Sequence, residues 1–173
     1  MKKLSFADAV KSVFVNWNKF KGVAARREYW FFVLFTVLIG IVLSTVESLI
    51  WPPVETADLI EAINQPTPLT SISALILLIP TLAVTSRRIQ DSGWSGKWLF
   101  LYLLPIVPLV MGILGVISYL DSTSAPEVEM LATSVAYFVP TLLLAFAVQV
   151  FLLILCLLPS KPKEAGNKYA PEA

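Results

Sequence analysis

Four long apolar runs, at residues 29–51, 69–86, 98–120 and 130–158, are the feature of this sequence that most restricts its fold. A helix needs about 20 mostly apolar residues to cross the hydrocarbon core of a bilayer, so each run is long enough to span it. A chain with 57% hydrophobic and 14% charged residues does not have the composition of a water-soluble globule. The sequence therefore predicts an all-α membrane protein whose transmembrane domain, residues 29–158, contains four helices.

The basic residues predict how the chain is threaded through the membrane. All thirteen lysines and arginines lie in three segments, residues 1–28, 87–97 and 159–173. Four spans bring these three segments to one side of the membrane, and an excess of Lys and Arg marks the cytoplasmic side. We therefore expect a multi-pass protein with both termini in the cytoplasm, with residues 159–173 as a cytoplasmic tail. The segments on the other side contain no basic residue.

An amphipathic helix is predicted in the first domain, residues 1–28, before the first span. Apolar residues recur there at steps of three and four, which describes one face of a helix. Ser5 and Asp8 have the spacing of a capping box at its start. One interpretation is a helix lying in the headgroup layer of the membrane, and the alternative is a helix packed on its own bundle. The residues of the apolar face are Phe6, Ala9, Val10, Val13, Phe14, Trp17 and Phe20.

Two further patterns predict contacts with the membrane and between helices. Tryptophan favours the headgroup level, so the four tryptophans on the cytoplasmic side are predicted to be interface anchors. Small residues every four positions along the first span would allow another helix to approach closely. That helix could belong to the same chain or to a second copy of it. The anchors are Trp17, Trp30, Trp94 and Trp98, and the strip of small residues is Gly40, Ser44 and Ser48.

A cluster of charged residues is the candidate site. The pair Arg26-Arg27 enters the first span where Arg87-Arg88 leaves the second, so adjacent antiparallel helices would bring the two pairs together. Arginine binds carboxylate or phosphate through two parallel hydrogen bonds, as lysine does not. Three roles remain open: ion pairing within the chain, recognition of lipid phosphate, and simple solvation of a charged turn. The cluster consists of Arg26, Arg27, Glu28, Arg87, Arg88 and Asp91.

The sequence offers few of the groups that catalysis uses. It has no histidine and one cysteine, Cys156, within the fourth apolar run. No phosphate-binding glycine loop, metal-spaced Cys/His set or Ser/His/Asp combination is present. We therefore predict no catalytic residues, no metal, no cofactor, no nucleic-acid partner and no enzymatic activity.

Three phrases resemble the signature segments of a small bacterial inner-membrane family, domain of unknown function 805. They are FKGVAARREYWFF, LIPTLAVTSRRIQDSGWSGKWLF and LPSKPKEAGNKYA, and the resemblance runs from about Trp17 to Tyr169. The sequence departs from the family pattern at Val23 and Trp94, where arginine is common, and at Gln90, where histidine is common. The resemblance implies a protein of the bacterial inner membrane and no established activity.

The function expected from these patterns is binding or organisation at the cytoplasmic leaflet. The partner would be anionic phospholipid or another membrane protein, and the chain itself could form a homo-oligomer. A small transporter or channel is the alternative, because prolines interrupt three of the spans and would bend them. A headgroup enzyme that uses the arginine cluster is the third hypothesis.

Overall fold

The computed structural model describes residues 4–52, 67–121 and 127–170, and its regular elements there are all helical. The side chains of residues 120, 121 and 127–131 are not part of that description. The outermost residues of the predicted terminal segments, 1–3 and 171–173, lie outside the described residues.

The described ranges contain five α-helices and a long 3-10 helix, and four stretches there are long and apolar enough to cross a membrane. The predicted all-α fold with four membrane-spanning helices is therefore confirmed. In chain order the elements are α1 (Phe6–Val15), α2 (Arg26–Ile50), α3 (Pro68–Asp91), the 3-10 helix Gly96–Leu103, α4 (Ile106–Asp121), α5 (Glu127–Leu157) and a short 3-10 turn, Lys163–Ala165.

The helix that carries the second apolar run extends beyond that run. The apolar run ends at Ser86, but α3 continues through both arginines to Asp91. Those last residues are buried, and their charged groups have partners inside the protein. Burial of a charge is tolerated when it is paired and hydrogen-bonded, so the helix can continue past its apolar run.

The third span begins as a 3-10 helix rather than an α-helix. Gly96–Leu103 comprises eight residues, a long run for this conformation, and α4 continues the span from Ile106. Pro105 explains the break because it has no N–H to donate to the residue four positions earlier. The amide of Leu104 instead donates to the Leu101 carbonyl at 3.0 Å, closing the tighter turn.

Helix α1 packs on the bundle through its apolar face, and the aromatic residues of that face stay partly exposed. Ala9 and Val13 are fully buried, and Val13 joins a core cluster with Phe32 of α2 and Val84 of α3. The Ser5 hydroxyl accepts the Asp8 amide at 3.2 Å, so the helix begins with a side-chain cap. The structure thus contains the bundle-packed arrangement, while the exposed aromatic residues remain available to a headgroup layer. They are Phe6, Phe14, Trp17 and Phe20.

The spans form two pairs, α2 with α3 and α4 with α5. Close approach in the second pair depends on glycine. A Cβ at Gly112 would lie 2.8 Å from the Cβ of Tyr137, and one at Gly115 would lie 3.1 Å from Thr133. The predicted strip on the first span differs, because nothing lies within 4 Å of a Cβ built at Gly40. Ser44 and Ser48 on that strip are exposed within the chain.

The two pairs meet at one end of the bundle. That end, called here the basic end, carries α1, the loop 92–95 and the chain that follows α5. Its core packs Ile89 of α3 against Leu152 and Cys156 of α5. Helix α3 shows the contrast between the two ends: its residues from Ala83 onward are buried, whereas Leu75 is 70% exposed.

Candidate functional site

The last turn of α3 is the point where the chain's three basic segments are joined. The amide of Ala24, just before α2, donates to the Arg87 carbonyl at 3.2 Å. The amide of Lys161, in the tail, donates to the Asp91 carbonyl at 2.9 Å. Segments far apart in sequence are therefore hydrogen-bonded to the same helical turn, which places the N-terminal segment, the middle loop and the tail at one end.

Arg88 is fully buried, and its guanidinium closes the carboxyl end of α5. Its Nε donates to the Cys156 carbonyl at 2.9 Å, and Nη2 donates to the Leu158 carbonyl. Its Nη1 donates to Asp91 Oδ2 and lies 3.4 Å from Ser160 Oγ. The last carbonyls of a helix have no partner within it, so a planar group with several donors suits this position.

Arg87 is buried as well, but its guanidinium is only partly satisfied. Its Nη1 donates to Glu28 Oε1 at 3.1 Å, and the same oxygen accepts the Ser12 hydroxyl at 3.1 Å. These contacts join α1, α2 and α3 at one carboxylate. The remaining guanidinium nitrogens, Nε and Nη2, are buried and have no hydrogen-bond partner among the described residues. Arg87 therefore acts through a single contact, where Arg88 acts through several.

The tail is held to α3 by Asn167, whose side chain is almost fully buried. Its Nδ2 donates to the carbonyls of Gln90 at 3.0 Å, Asp91 at 3.2 Å and Lys161 at 3.0 Å. The Ser160 hydroxyl also donates to the Asp91 carboxylate. The tail is thus a structural part of the basic end.

Gln90 and Ser86 hold the segment between α1 and α2. The Gln90 amide donates to the Phe20 carbonyl at 2.6 Å and accepts the Gly22 amide at 3.1 Å. The Ser86 hydroxyl donates to the same Phe20 carbonyl at 2.8 Å. On the other side, a Cβ at Gly96 would lie 2.3 Å from Ser86 Oγ, so only glycine fits where the 3-10 helix begins.

The structure divides the predicted arginine cluster into two parts. Arg87, Arg88, Glu28 and Asp91 are buried and form two ion pairs, Arg87 with Glu28 and Arg88 with Asp91. Arg26 and Arg27 are exposed, and the described part of the chain gives neither of them a hydrogen bond or ion pair. The four buried residues connect helices within the protein, and the two exposed arginines are accessible to molecules outside it.

The predicted tryptophan anchors all lie at the basic end. Trp17, Trp94 and Trp98 are 47%, 40% and 36% exposed, and Trp30 is partly exposed. The Trp98 ring packs edge-to-face on Phe151 at a centroid distance of 5.4 Å, and on Trp94 at 6.0 Å. The indoles are thus supported by the bundle and still reach its surface.

Glu47 has a contact that sequence reasoning missed. This acid near the far end of α2 is 4% exposed, and Oε1 accepts the Thr70 amide at 3.1 Å and the Leu69 amide. The Thr70 hydroxyl donates to its other oxygen. Glu47 therefore caps the amino end of α3 from a neighbouring helix and occupies a position that a negative charge favours. The sequence feature that could have indicated this contact is an acidic residue one helical turn before the end of the first apolar run.

Cys156 is a free thiol buried against its neighbours, and it faces helices rather than lipid. Across the three described ranges, His, Cys, Asp and Glu side chains form no group of three or more that could hold a metal ion. The chemistry that the described site offers is therefore that of buried ion pairs, helix caps and exposed cations.

Comparison with known proteins agrees with this picture of a membrane protein. The inner membrane protein YhaI of Escherichia coli (strain K12) is 30% identical over 96 residues, which are 56% of this chain and 71% of that protein. The inner membrane protein YhaH of the same strain is 29% identical over 96 residues, 55% of this chain and 72% of that protein. No solved structure matches the chain significantly. The family described as "Protein of unknown function (DUF805)" matches residues 17–171, so the chain belongs to that family.

Proposed function

We propose that this protein is a multi-pass protein of the bacterial inner membrane whose basic end binds and organises anionic phospholipid at the cytoplasmic leaflet. The observation that carries the proposal is the division of the cations. Among the described residues, the two arginines that hold the helices together are buried, and every other lysine and arginine is exposed at the basic end. The exposed set is Lys11, Lys19, Lys21, Arg26, Arg27, Lys97, Lys161, Lys163 and Lys168.

The cytoplasmic position of the basic end is part of this proposal. It is supported by the positive-inside rule, applied to three segments that hydrogen bonds hold at one end. Reporter fusions after Ser5 and after Lys168 should both be active in the cytoplasm. A cysteine introduced at Asp58 should react with an impermeant thiol reagent from outside. Labelling of the tail from outside would refute the orientation.

Electrostatics supply the physical basis of the lipid preference. Each Lys or Arg near an anionic leaflet contributes on the order of 1 kcal/mol of attraction, whichever of the two it is. The inner leaflet's anionic lipids would therefore be enriched around the basic end. High salt should weaken this enrichment, because the screening length falls from about 8 Å at physiological ionic strength to about 3 Å at 1 M.

Spin-labelled lipids test the proposal in reconstituted bilayers. The protein should immobilise a larger fraction of spin-labelled phosphatidylglycerol than of phosphatidylcholine, and the difference should shrink in 1 M salt. Joint Arg26→Gln and Arg27→Gln substitution should reduce the preference, and joint Arg26→Lys and Arg27→Lys substitution should retain it. Equal immobilisation of the two lipids by the parent protein would refute lipid binding and would point to a membrane-protein partner.

A further inference from the structure

A cavity of about 590 Å³ lies between the end of α3 and the 3-10 helix Gly96–Leu103. This volume falls within the range of about 300–1,000 Å³ that is typical of small-molecule sites. The hydrogen bonds of Ser86 and Gln90 to the Phe20 carbonyl place Phe20 and Lys21 at its edge. Phe100 and Leu103, which also line it, are 69% and 56% exposed, so the cavity opens to the outer surface of the bundle.

One wall of the cavity is a row of residues on α3 that changes from apolar to polar. Leu82, Ser86 and Gln90 line the cavity at steps of four residues, and therefore lie on one face of the helix. The row covers about 12 Å along the axis at 1.5 Å per residue. Its two polar members, Ser86 and Gln90, are nearest the basic end.

The opposite wall is a row of residues on the 3-10 helix, and this row also changes from apolar to polar. Lys97, Phe100 and Leu103 line the cavity at steps of three residues, and side chains three apart align in a 3-10 helix. This row also covers about 12 Å, at about 2.0 Å per residue. Its charged member is nearest the basic end, so the two walls change polarity in the same direction. In an α-helix, at about 100° per residue, these three side chains would instead be spread over about 120° of the helix surface.

Two exposed lysines lie at the polar end of the cavity. Lys21 and Lys97 both line it, and neither ammonium forms an ion pair with a carboxylate within the described ranges. Ser95 and Tyr169 complete this end, where a hydrogen bond with Ser95 is the main effect that lowers the pKa of the Tyr169 phenol. This end therefore carries two cationic side chains, whereas the rest of the lining is mostly apolar and includes Leu99, Phe100 and Leu103.

We propose that this cavity holds a single anionic phospholipid of the cytoplasmic leaflet. Its phosphate lies at Lys21 and Lys97, and one acyl chain lies along Leu82, Leu99 and Leu103. The charge of the lysines matches the phosphate, and the apolar walls match the chain. The inference rests on the proposed function, which places the basic end at that leaflet, and goes further in assigning one built site with a fixed stoichiometry.

Native mass spectrometry of the detergent-purified protein tests the site. The parent should retain one phosphatidylglycerol or cardiolipin molecule per chain. Joint Lys21→Gln and Lys97→Gln substitution should weaken retention about 30-fold, the effect of two cationic contacts. Joint Lys11→Gln and Lys19→Gln substitution removes two exposed charges outside the cavity and serves as the matched control. Equal retention by the double variant and the control would overturn the proposal, as would equal retention of a neutral phospholipid.

Filling the cavity provides a second, independent variant. Leu103→Trp should displace the lipid, and Leu104→Trp, at an adjacent exposed residue that does not line the cavity, should not. Thermal unfolding in detergent tests whether both tryptophan variants fold. If Leu103→Trp does not fold, the lysine variants alone test the proposal. If the parent prefers anionic spin-labelled lipid but retains no bound molecule, this inference fails and the proposed function stands. If that preference is absent, the proposed function fails.

Discussion

Replacing each buried arginine by lysine should affect stability very differently at Arg87 and at Arg88, although the two residues are adjacent in sequence. Arg88→Lys and Arg87→Lys both preserve the charge, but they remove different sets of contacts. Lysine has a single ammonium on a flexible stem and cannot reproduce a planar fork of donors. We expect Arg88→Lys to be strongly destabilising and Arg87→Lys to be nearly neutral.

The expected magnitudes follow from the contacts. An ammonium at position 88 cannot reach Asp91 and the carbonyls of both Cys156 and Leu158, so at least two hydrogen bonds of a charged donor are lost. At about 1.5–3 kcal/mol each, the loss is about 3–6 kcal/mol. At position 87 the Glu28 contact can be kept, and the two nitrogens that disappear have no partner. That substitution should cost about 1 kcal/mol or less.

Thermal unfolding of the purified protein in detergent measures the difference. For a chain of this length, 1 kcal/mol corresponds to about 2–4 °C, so Arg88→Lys should lower the midpoint by about 6–24 °C and Arg87→Lys by at most a few degrees. Arg26→Lys, at an exposed position, is the control and should cause no shift. Equal shifts for the two buried arginines would refute the assignment of the helix-closing role to Arg88.

Four further substitutions test other contacts by the same assay. Gly112→Ala should lower the midpoint because its Cβ would meet Tyr137, and Gly40→Ala should not lower it; the reverse order would contradict the packing described. Glu47→Ala removes the cap of α3 and should cost about 1 kcal/mol, so an unchanged midpoint would argue against the cap. Asn167→Ala removes the buried amide that donates to the carbonyls of Gln90, Asp91 and Lys161, and should cost about 1–3 kcal/mol while exposing the tail to protease. Unaltered cleavage would show that the tail is held by other contacts.

The four-span fold was predictable because apolar length carries that information directly. The family was also predictable, since three phrases bear its pattern, and the match over residues 17–171 confirms it. The cytoplasmic orientation of the termini stays a prediction that depends on the distribution of lysine and arginine.

The roles of individual site residues were not predictable to the same degree. The partners of Arg88 include backbone carbonyls about 70 positions away, and a carbonyl leaves no mark in the sequence. Small-residue spacing occurs on both the first and the third span, but spacing alone does not tell which strip meets another helix. The structure gives close contact to Gly112 and leaves Gly40 open, because contact depends on how helices pair.

The position of Arg88 also bears on how the protein is made. The arginine leaves the ribosome well before Cys156, Leu158 and Asn167, the residues that enclose the end of α3. Until those residues follow, the Arg88 guanidinium lacks its carbonyl acceptors at Cys156 and Leu158, and the last turn of α3 lacks its contact with Asn167. The four helices can insert in order as they are synthesised, but the contacts around Arg88 are complete only after the tail has been synthesised.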